Sequence, residues 1–516
     1  MSGSKGGNKM KNLKRITAVL LCLVLSLTFC VPAFASGKYK IVSPYDNINW
    51  SKVGQYKTAL HSHTNASDGD QTLKQSLQRH AEANFDIVSI TDHGTVDYGW
   101  ESDSSNPFIH TILSVAGRSE GELEYLGKSG KFANGKSYTY STKNGDDYLT
   151  VSGKKILRIP YGIENNAVSV NAHVNSWFVD YHDNSITTYE DAVKGVDSLG
   201  GLCVINHPGE YTKARYELRC SDAYNQSNPA YKYYTDKFAS LIDEYPACLG
   251  IDINSKGDER TRFDRILWDE LLERFSPNGK NVYAIASSDA HQLNKIDTGY
   301  TVLLMNSQTS AKAREAMANG QFFAASHCIG NYAELVQIAS SLKKFYGTSN
   351  KTYKAVKQAA TEIKNKVLDI ESGKLDADSS IGISYSVLDE DGYCTAKTHP
   401  QITKISTDSK NGAISLNAKN ALLVRWISDG KLIATTKGGS SVLKLDSVSK
   451  NLGHYVRAEV FGEGGILYTQ AFMIKDTTNQ QPVVSDDFND YGFIDFLFAN
   501  LNNWYDIIKR SLKNLL

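Results

Sequence analysis

Between residue 55 and about residue 325, short apolar β-type segments alternate with amphipathic helical segments, and this alternation is the strongest constraint on the fold. Seven β-type segments can be recognised: YKTALHSH, FDIVSITDH, ILRIPYGIE, VNAHVNSWF, LCVINHP, CLGIDIN and VYAIASSDAH. Helical segments between several of them include TLKQSLQRHAEAN, TYEDAVKGVDSLG, TDKFASLIDEY and FDRILWDELLERF. Such alternation is typical of a parallel sheet covered by helices. Seven units predict a closed or nearly closed α/β barrel, interrupted by a long insertion at residues 100–153.

Later changes of pattern extend the predicted architecture. Residues 331–378 have helical period, for example in YKAVKQAATEIKNKVLDIESGK, and predict a helical segment. Residues 379–476 alternate in short strands with turns, which predicts a small all-β immunoglobulin-like sandwich. Residues 477–516 predict a polar linker followed by an amphipathic C-terminal helix. The apolar stripe of that helix consists of Phe488, Ile494, Phe498, Leu501, Trp504, Ile508, Leu512 and Leu515.

Residues 1–35 have the three parts of a secretory signal peptide. Basic residues come first, an apolar run from Ile16 to Phe29 follows, and small residues stand at Ala33 and Ala35. The apolar run is shorter than a membrane-spanning helix requires. We therefore expect cleavage after Ala35, with an uncleaved anchor as the alternative, and a mature chain that is secreted as an extracellular or cell-surface protein.

Cysteine content and net charge exclude several classes of protein. Seven cysteines are present and two of them leave with the signal peptide, so five remain. An odd number of widely spread cysteines predicts no disulfide framework and at most one bridged pair. No Cys-x-x-Cys unit is present, so a thiolate zinc knuckle is not expected. Lys+Arg and Asp+Glu are equal at 56 each, so no global basic field indicates nucleic-acid binding.

Histidines and carboxylates stand at the ends of the predicted strands. In an α/β barrel the carboxyl ends of the strands meet at one rim, where active sites lie. His61 and His63 share a face because they are two residues apart, and so do Asp289 and His291. Imidazole and carboxylate donors without thiolates suit Zn, Mn or Fe, and so many donors predict two or three divalent ions. The predicted metal ligands are His61, His63, Asp68, His93, Glu164, His173, His207, Asp289 and His291.

Other polar residues near these motifs are assigned different roles. Asp92 is interpreted as a carboxylate that orients His93 without binding the metal itself. Asp252, at the end of the sixth strand, is open to two interpretations, a substrate contact or a structural residue. The remaining histidines are interpreted as non-ligands; they are His80, His110, His182, His327, His399 and His454.

In their order and spacing, HSHTNASDG, ITDHGT, GIEN, NAHVN, NHPGE and SSDAH resemble the polymerase and histidinol phosphatase (PHP) family of metal-dependent phosphoesterases. The resemblance covers roughly residues 55–325, within a domain placed at 36–330. It implies a distorted (β/α)7 TIM-like barrel, a di- or trinuclear site of Mn, Fe or Zn, and hydrolysis of phosphate esters. The chain departs from the family where Asp252 replaces a frequent Glu, in the insertion at 100–153, and in its predicted export.

The predicted mechanism is attack on phosphorus by a hydroxide that the metal ions activate. His207 or His291 would act as catalytic residues by protonating the leaving oxygen. Cations that grip the phosphate are also expected, because a guanidinium fork or an ammonium group suits phosphoryl oxygens. The candidate substrate contacts are Arg158, Asp252, Lys256, Arg260 and Arg262.

The predicted substrate is a small phosphomonoester such as a nucleotide, without a stable nucleic-acid complex. One alternative is a 5′→3′ exonuclease-like activity on short RNA or DNA, for which Tyr138, Tyr140 and Lys143 would supply an aromatic, basic groove. A second is amidohydrolase-type C–N hydrolysis, which Glu164 and the SSDAH segment disfavour. A third is a non-catalytic metal-binding surface protein. Residues 484–516 are expected to contact a protein at the cell surface or a membrane interface.

Overall fold

A computed structural model describes residues 37–101, 121–167, 172–182, 188–210, 212, 229–259, 261–376, 381–478, 494–499 and 501. The fold is of the mixed α/β type. The predicted signal peptide and most of the predicted C-terminal helix lie outside the described residues. None of the described helices combines the length and the apolar character that crossing a membrane requires.

The elements are numbered in chain order. The strands up to residue 329 are β1 (Tyr39–Val42), β2 (Gly54–Ala59), β3 (Ile87–Val88), β4 (Ser129–Lys131), β5 (Ser137–Lys143), β6 (Asp146–Val151), β7 (Lys154–Arg158), β8 (Ile163–Ala167), β9 (Ala172–Trp177), β10 (Leu202–Ile205), β11 (Cys248–Asp252), β12 (Tyr283–Ile285), β13 (Gly299–Met305), β14 (Phe322–Ser326) and β15 (Cys328–Ile329). The later strands are β16 (Tyr385–Ser386), β17 (Gln401–Asp408), β18 (Ala413–Lys419), β19 (Leu423–Ser428), β20 (Lys431–Lys437), β21 (Ser440–Lys444), β22 (Tyr455–Gly462), β23 (Gly465–Thr469) and β24 (Phe472–Asp476). The α-helices are α1 (Leu73–Glu82), α2 (Tyr189–Ser198), α3 (Pro229–Glu244), α4 (Asp264–Phe275), α5 (Ser310–Ala318), α6 (Tyr332–Tyr346) and α7 (Lys351–Glu371).

The start of α1 shows how the sequence fixes the helices. Thr72 and Gln75 form a capping box, in which the Thr72 hydroxyl accepts from the Gln75 amide at 3.3 Å and the Gln75 side chain accepts from the Thr72 amide at 2.8 Å. This exchange satisfies two backbone donors that have no partner inside the helix. Leu73 and Leu77 then face the core and are buried. The helix therefore begins directly after the loop that carries the first candidate ligands.

Strand pairs and backbone bridges connect seven strands into a closed ring; these strands are β2, β3, β8, β9, β10, β11 and β12. β2 and β3 are parallel neighbours, and β8 to β12 form a sheet in sequence order. Two isolated parallel bridges join these groups, one between His93 and Glu164 and one between Ser62 and Ala290. The circle therefore brings together the chain segments that follow β2, β3 and β12, which are the segments that carry the candidate ligands. We refer to these seven strands as the strand ring.

One strand of the ring runs against the predicted direction. β9 pairs antiparallel with both β8 and β10, whereas β10, β11 and β12 are parallel. The predicted strand ILRIPYGIE is also divided, because β7 ends at Arg158 and β8 begins at Ile163, after Pro160, which cannot donate to a ladder. Glu164 and His173 therefore lie near the starts of β8 and β9 rather than at strand ends. His173 still faces the other ligands because the antiparallel β9 starts at their level.

The insertion and the later segments extend the sheet beyond the ring. β4, β5 and β6 form an antiparallel meander that joins β7, so the described part of the insertion is a β-structure. Helices α6 and α7 lie within the segment predicted to be helical. The strands after residue 400 form two sheets, one of β17, β18 and β21 and one that contains β19, β20, β22, β23 and β24.

The second of these sheets is continuous with the rest of the chain. β23 pairs with β14, and β14 is linked through β13 to β2 of the strand ring. The N-terminal β1 pairs with β24 over four residue pairs from Tyr39–Asp476 to Val42–Met473. The N-terminal strand and the strands after residue 400 are therefore joined to the strand ring by hydrogen-bonded pairing. Such pairing connects residues that are far apart in the sequence, so local sequence patterns do not indicate it.

Candidate metal centre

Two histidines that follow β2 bring their side chains together. The Nε2 atoms of His61 and His63 lie 3.0 Å apart, and both rings are buried. The Asp-Gly turn after them folds back, since the Gly69 amide donates to the Thr64 carbonyl at 2.9 Å. A Cβ atom at position 69 would lie 2.9 Å from the backbone of His63 and Thr64, so only glycine fits this close approach.

Two buried carboxylates face this histidine pair. Glu164 Oε2 lies 3.4 Å from His61 Nε2 and 3.3 Å from His63 Nε2. Asp289 Oδ1 lies 3.3 Å from His61 Nε2 and 3.1 Å from His63 Nε2. Four donor atoms from three distant parts of the sequence thus converge in the interior of the strand ring.

Asp68 contacts three imidazoles at the solvent-facing edge of this group of side chains. Its Oδ1 atom lies 3.7 Å from His63 Nδ1, 3.6 Å from His93 Nε2 and 3.2 Å from His291 Nε2. The side chains of Asp68 and His291 are 25% and 32% exposed, whereas Glu164 and Asp289 are almost fully buried. Access from solvent is therefore from the side of Asp68 and His291.

Glu164 holds a third set of imidazoles. His93 Nδ1 lies 3.0 Å from Glu164 Oε2, and His173 Nδ1 lies 3.0 Å from Glu164 Oε1. His207 Nε2 lies 3.4 Å from Glu164 Oε1 and 3.6 Å from Asp289 Oδ2. All nine side chains predicted as ligands from the sequence are consequently in one cluster, which we call the histidine–carboxylate cluster.

The donor set of the histidine–carboxylate cluster fits divalent cations. Its atoms form three overlapping groups, whose donor atoms lie within 4.8 Å of one another inside each group. The groups are His61, His63, Glu164 and Asp289; His63, Asp68, His93 and His291; and His93, Glu164 and His173. Donors held at about 2.0–2.2 Å from one ion are about 3 Å apart, which agrees with the contacts above. Glu164 Oε2 and Asp289 Oδ1 are also buried without a hydrogen-bond partner among the described residues.

Backbone strain is concentrated in the same place. Three non-glycine residues of the cluster or its edge have positive φ: His207 at 28°, Asp289 at 47° and Lys256 at 52°. Such conformations are unfavourable by about 1–3 kcal/mol each and persist where the surroundings enforce them. They aim these side chains into the cluster from turns that follow β10, β11 and β12.

The charges in the cluster depend on one another. Burial favours the neutral form of Glu164, but His173, His61 and His93 hold its pKa well below the usual value. Burial also acts against charge on Asp289, yet Lys256 and His61 hold its pKa well below the usual value. Burial lowers the pKa of His173 to about 4. The carboxylates are therefore ionised and His173 is neutral, whereas the neighbouring carboxylates raise the pKa of His63 and His291 to about 9 against the effect of burial.

Asp92 has a supporting role that differs from the prediction. Its carboxylate accepts from the Thr64 amide at 2.7 Å, from the Thr64 hydroxyl at 2.6 Å and from the Ser67 hydroxyl at 2.6 Å. These donors lie in the loop between His63 and Asp68, so Asp92 fixes that loop rather than orienting His93. This role could not be predicted from the sequence, because the two loops become neighbours only when β2 pairs with β3.

Sequence reasoning missed two amides that support the ligands. The Asn206 side chain donates to Glu164 Oε1 at 2.7 Å. The Gln71 side chain donates to the His63 carbonyl at 2.7 Å and to the Ala290 carbonyl at 3.1 Å, which ties two ligand-bearing loops together. Asn206 stands directly before His207 in the NHP segment, so its neighbourhood was a usable signal, whereas that of Gln71 was not.

Of the predicted substrate contacts, Lys256 reaches the cluster. Its Nζ atom lies 3.0 Å from Asp289 Oδ2 and 2.7 Å from Glu210 Oε1. Burial acts against its charge, but Asp289 and Glu210 raise the pKa of Lys256 above the usual value. A fixed positive charge therefore stands at one side of the histidine–carboxylate cluster.

The other predicted substrate contacts have structural partners. Arg158 is buried and forms ion pairs with Asp147 at 2.8 Å and Asp97 at 3.3 Å, which fastens the inserted meander. Asp252 is buried and bonded to the Ser287 hydroxyl, so its structural interpretation is the better one.

The two remaining arginines that were predicted to contact phosphate do not strengthen that prediction. Arg262 is buried, and its Nε atom donates to the Glu259 carbonyl at 2.8 Å. Arg260 lies outside the described residues.

In the described part of the insertion, the tyrosines expected to form an aromatic groove for an oligonucleotide face inward. Tyr138 and Tyr140 are both buried, the first against Phe132 and the second stacked on Trp100 with ring centroids 5.9 Å apart. Lys143 is exposed at the end of β5. The two tyrosine rings therefore serve the core of the insertion, and the groove hypothesis loses its stacking surface.

No protein family and no curated protein matches the chain. A two-domain protein from Bacteroides vulgatus, described as containing a predicted PHP-like metal-dependent phosphoesterase, aligns with 84% of this chain and 98% of its own, at 12% identity and a TM-score of 0.34. The lesion-specific endonuclease PfuEndoQ from Pyrococcus furiosus aligns with 51% of this chain and 56% of its own, at 12% identity and a TM-score of 0.29. An amidohydrolase from Chromobacterium violaceum aligns with 46% of this chain and 87% of its own, at 14% identity and a TM-score of 0.25.

Proposed function

We propose that this chain is a metal-dependent phosphoesterase of the PHP type, built on a distorted (β/α)7 barrel that the strand ring forms. The observation that carries the proposal is the histidine–carboxylate cluster, in which nine side chains from six separate motifs converge. In their order and spacing along the chain, those motifs resemble the motifs of the PHP family. The cluster contains no thiolate and suits Mn, Fe or Zn.

Two or three divalent ions would be held by the three overlapping groups of the cluster. Glu164, His63 and His93 each belong to two of the groups, so these three side chains connect the groups into one cluster. When bound, such ions supply Lewis-acid stabilisation of phosphoryl charge and acidify water for attack on phosphorus. The protein itself fixes the donors through Asp92, Asn206 and the strained turns at His207 and Asp289.

The remaining tasks fall to residues at the edge of the cluster. Lys256 would bind a phosphoryl oxygen, since its ammonium group is a point charge beside Asp289. His291 is the most exposed imidazole of the cluster at 32% and is suited to hand a proton to the leaving oxygen. His207, next to Glu210, is the second candidate for that proton transfer. Neither proton transfer requires a covalent intermediate on the protein.

A small phosphomonoester, such as a nucleotide, is the substrate class that we favour. Access is from the side of Asp68 and His291, and the tyrosines that would stack on bases of a longer strand are buried. A stable complex with nucleic acid is not part of the proposal. We also propose that the chain acts outside the cell after cleavage at Ala35, with residues 484–516 contacting the cell surface.

The proposal is tested by measuring phosphate release with and without a chelator. The panel contains a nucleoside monophosphate, a simple alkyl phosphate, a short oligonucleotide, an amide and a lactone. Release from the two small esters, abolished by chelation and in His61→Ala and Asp289→Ala, is the expected result. His182→Asn, which changes an exposed histidine outside the cluster, is the matched control.

Three outcomes of this panel would contradict the proposal in different ways. Hydrolysis of the amide or lactone without phosphate release would favour the amidohydrolase alternative. Degradation of the oligonucleotide with the small esters intact would favour the exonuclease-like activity. Metal binding without turnover of any compound would favour a non-catalytic protein.

A further inference from the structure

A second group of potential metal ligands lies outside the histidine–carboxylate cluster. His327, between β14 and β15, meets Cys394 and His399, which belong to the connection between β16 and β17. One donor atom of each residue lies within 4.8 Å of the others. The rings of His327 and His399 have centroids 5.0 Å apart. We call these three residues the thiol–imidazole site; the two histidines were interpreted as non-ligands from the sequence, and a thiolate zinc knuckle was not expected.

His327 is oriented as a metal ligand would be. Its Nδ1 atom lies 2.7 Å from the Gly464 carbonyl oxygen, so Nδ1 carries the proton and donates. This leaves the lone pair on Nε2, and Nε2 is buried with no hydrogen-bond partner among the described residues. A hydrogen bond from the opposite ring nitrogen to a backbone carbonyl is the usual way in which proteins fix the tautomer of a ligating histidine. An unpartnered nitrogen in a residue that is 1% exposed calls for a ligand.

The backbone around His327 holds this orientation in place. The His327 amide donates to the Thr298 carbonyl at 2.9 Å, and the Val387 amide donates to the His327 carbonyl at 3.2 Å. The ring is therefore held with Nε2 towards the position of a ligand before any ion binds.

The charges next to the site are already balanced. Asp297 Oδ1 lies 3.6 Å from His327 Nε2 and 2.5 Å from Lys57 Nζ. Lys57 and Asp297 therefore neutralise each other, and the pair leaves the thiol and the two imidazoles to set the local chemistry. Cys394 is half-buried and His399 is exposed, so an ion can enter from solvent.

We propose that His327, Cys394 and His399 bind a single Zn²⁺ ion that joins the end of β14 to the connection before β17. One thiolate and two imidazoles form a soft donor set that selects Zn over Mn or Mg. Water would complete the coordination of the ion, since the Asp297 carboxylate is paired with Lys57. The site is separate from the histidine–carboxylate cluster, which has no thiolate, and its role is structural.

The test uses Co²⁺ as a probe for the full-length purified chain under reducing conditions. A thiolate bound to Co²⁺ gives a near-ultraviolet charge-transfer band, which the sulfur-free histidine–carboxylate cluster cannot produce. The expected result is a band whose intensity at saturation corresponds to one thiolate-bound Co²⁺ per chain, that Zn²⁺ abolishes, and that remains in Asp289→Ala. Cys394→Ser should remove the band. His399→Asn, at an exposed position that tolerates change, should weaken binding by at least about tenfold.

Cys328→Ser is the matched control, because this buried thiol stands next to His327 but faces Ser386 Oγ at 3.5 Å. Its band should equal that of the unchanged chain. Absence of any charge-transfer band in the unchanged chain would overturn the proposal. So would a band that is the same in Cys394→Ser and His399→Asn as in the unchanged chain. Because this readout does not involve phosphate release, it stands or falls independently of the phosphoesterase proposal.

Discussion

Buried charge is organised in two different ways in this molecule. In the histidine–carboxylate cluster, three carboxylates are surrounded by imidazoles. In a second region, buried carboxylates of α4, α6 and β22 and of the turn after β11 are bound by arginines. This second region, the arginine network, consists of Arg265, Arg425, Arg457, Asp258, Asp269, Glu334 and Glu459.

The carboxylates of the arginine network are paired within the protein itself. Arg457 Nε and Nη2 each lie 2.7 Å from an oxygen of Asp269, which also accepts from the Tyr455 hydroxyl at 2.8 Å. Arg265 Nη2 lies 2.9 Å from Asp258 and 2.6 Å from Glu334. A guanidinium is permanently charged and cannot act as a ligand. Such a region ties helices to the C-terminal sheet and has no capacity for a metal ion.

The histidine–carboxylate cluster lacks this internal compensation. Its imidazoles have lone pairs as well as protons, and Glu164 Oε2 is buried without a hydrogen-bond partner among the described residues. A buried carboxylate therefore belongs to a structural ion network where guanidinium groups surround it, and to a candidate metal centre where imidazoles surround it.

The largest effect is expected from Asp289→Asn. Loss of this carboxylate removes a donor that contacts His61, His63 and Lys256, and we expect phosphate release to fall by roughly 10⁴-fold or more. The free energy of unfolding of the metal-free chain should fall less than on loss of a buried arginine, because Lys256 keeps Glu210 as a partner at 2.7 Å. Steady-state kinetics and denaturant titration measure the two quantities. Asp70→Asn, whose carboxylate accepts from Gln292, is the control and should retain activity.

Arg457→Met should have the opposite profile. Removing the guanidinium leaves Asp269 buried without a cation and Glu459 with Arg425 alone, which should lower the free energy of unfolding by about 3–5 kcal/mol. The metal content of the folded chain should remain unchanged. Denaturant titration and metal analysis of the soluble fraction check these expectations, with the exposed Arg314→Met as control. Loss of metal in a folded Arg457→Met chain would contradict the separation of the two regions.

Lys256→Met tests the proposed role of Lys256, which contacts the ligand Asp289 and would also bind the phosphate of the substrate. Loss of a charge-assisted contact should lower kcat/KM for a phosphomonoester by roughly 10²-fold. The bound metal should not decrease, because Lys256 supplies no lone pair. Lys295→Met, whose partner Glu259 lies 2.8 Å away near the same turn, should have near-normal kinetics. An unchanged kcat/KM in Lys256→Met would remove its proposed role.

The smallest effect is expected from Asp92→Asn. This carboxylate holds the Thr64–Ser67 loop, so its loss should weaken metal affinity by roughly tenfold, at the lower end for groups that support ligands. Competition with a coloured chelator measures the affinity. Asp180→Asn, an exposed carboxylate that accepts from Tyr98, should leave the affinity unchanged. A complete loss of metal in Asp92→Asn would instead make Asp92 a direct ligand.

The candidate ligands could be predicted because they are local signals. His61 and His63 stand two residues apart, and most of the motifs follow an apolar segment, so strand geometry directs those ligands to one rim. The reversed direction of β9 could not be predicted, since the ligand His173 would look the same at the start of an antiparallel strand.

Partners that are distant in sequence were also beyond reach. Lys256 and Arg158 both follow apolar segments and looked equally suited to phosphate, but Arg158 is bound by Asp97 and Asp147 of the insertion. The thiol–imidazole site escaped notice for the same reason, because 67 residues separate His327 from Cys394. Pairings of this kind are set by tertiary packing rather than by periodicity.

The most direct test of the central claim is the number of metal ions that the histidine–carboxylate cluster binds. Metal content per chain would be measured after loading with Mn²⁺, Fe²⁺ or Zn²⁺ in Cys394→Ser, which lacks the thiol–imidazole site, and in the same variant carrying Glu164→Gln. We predict two or three ions per chain in the first protein and the loss of at least one in the second. Equal metal content in both, or no bound metal in either, would contradict the account.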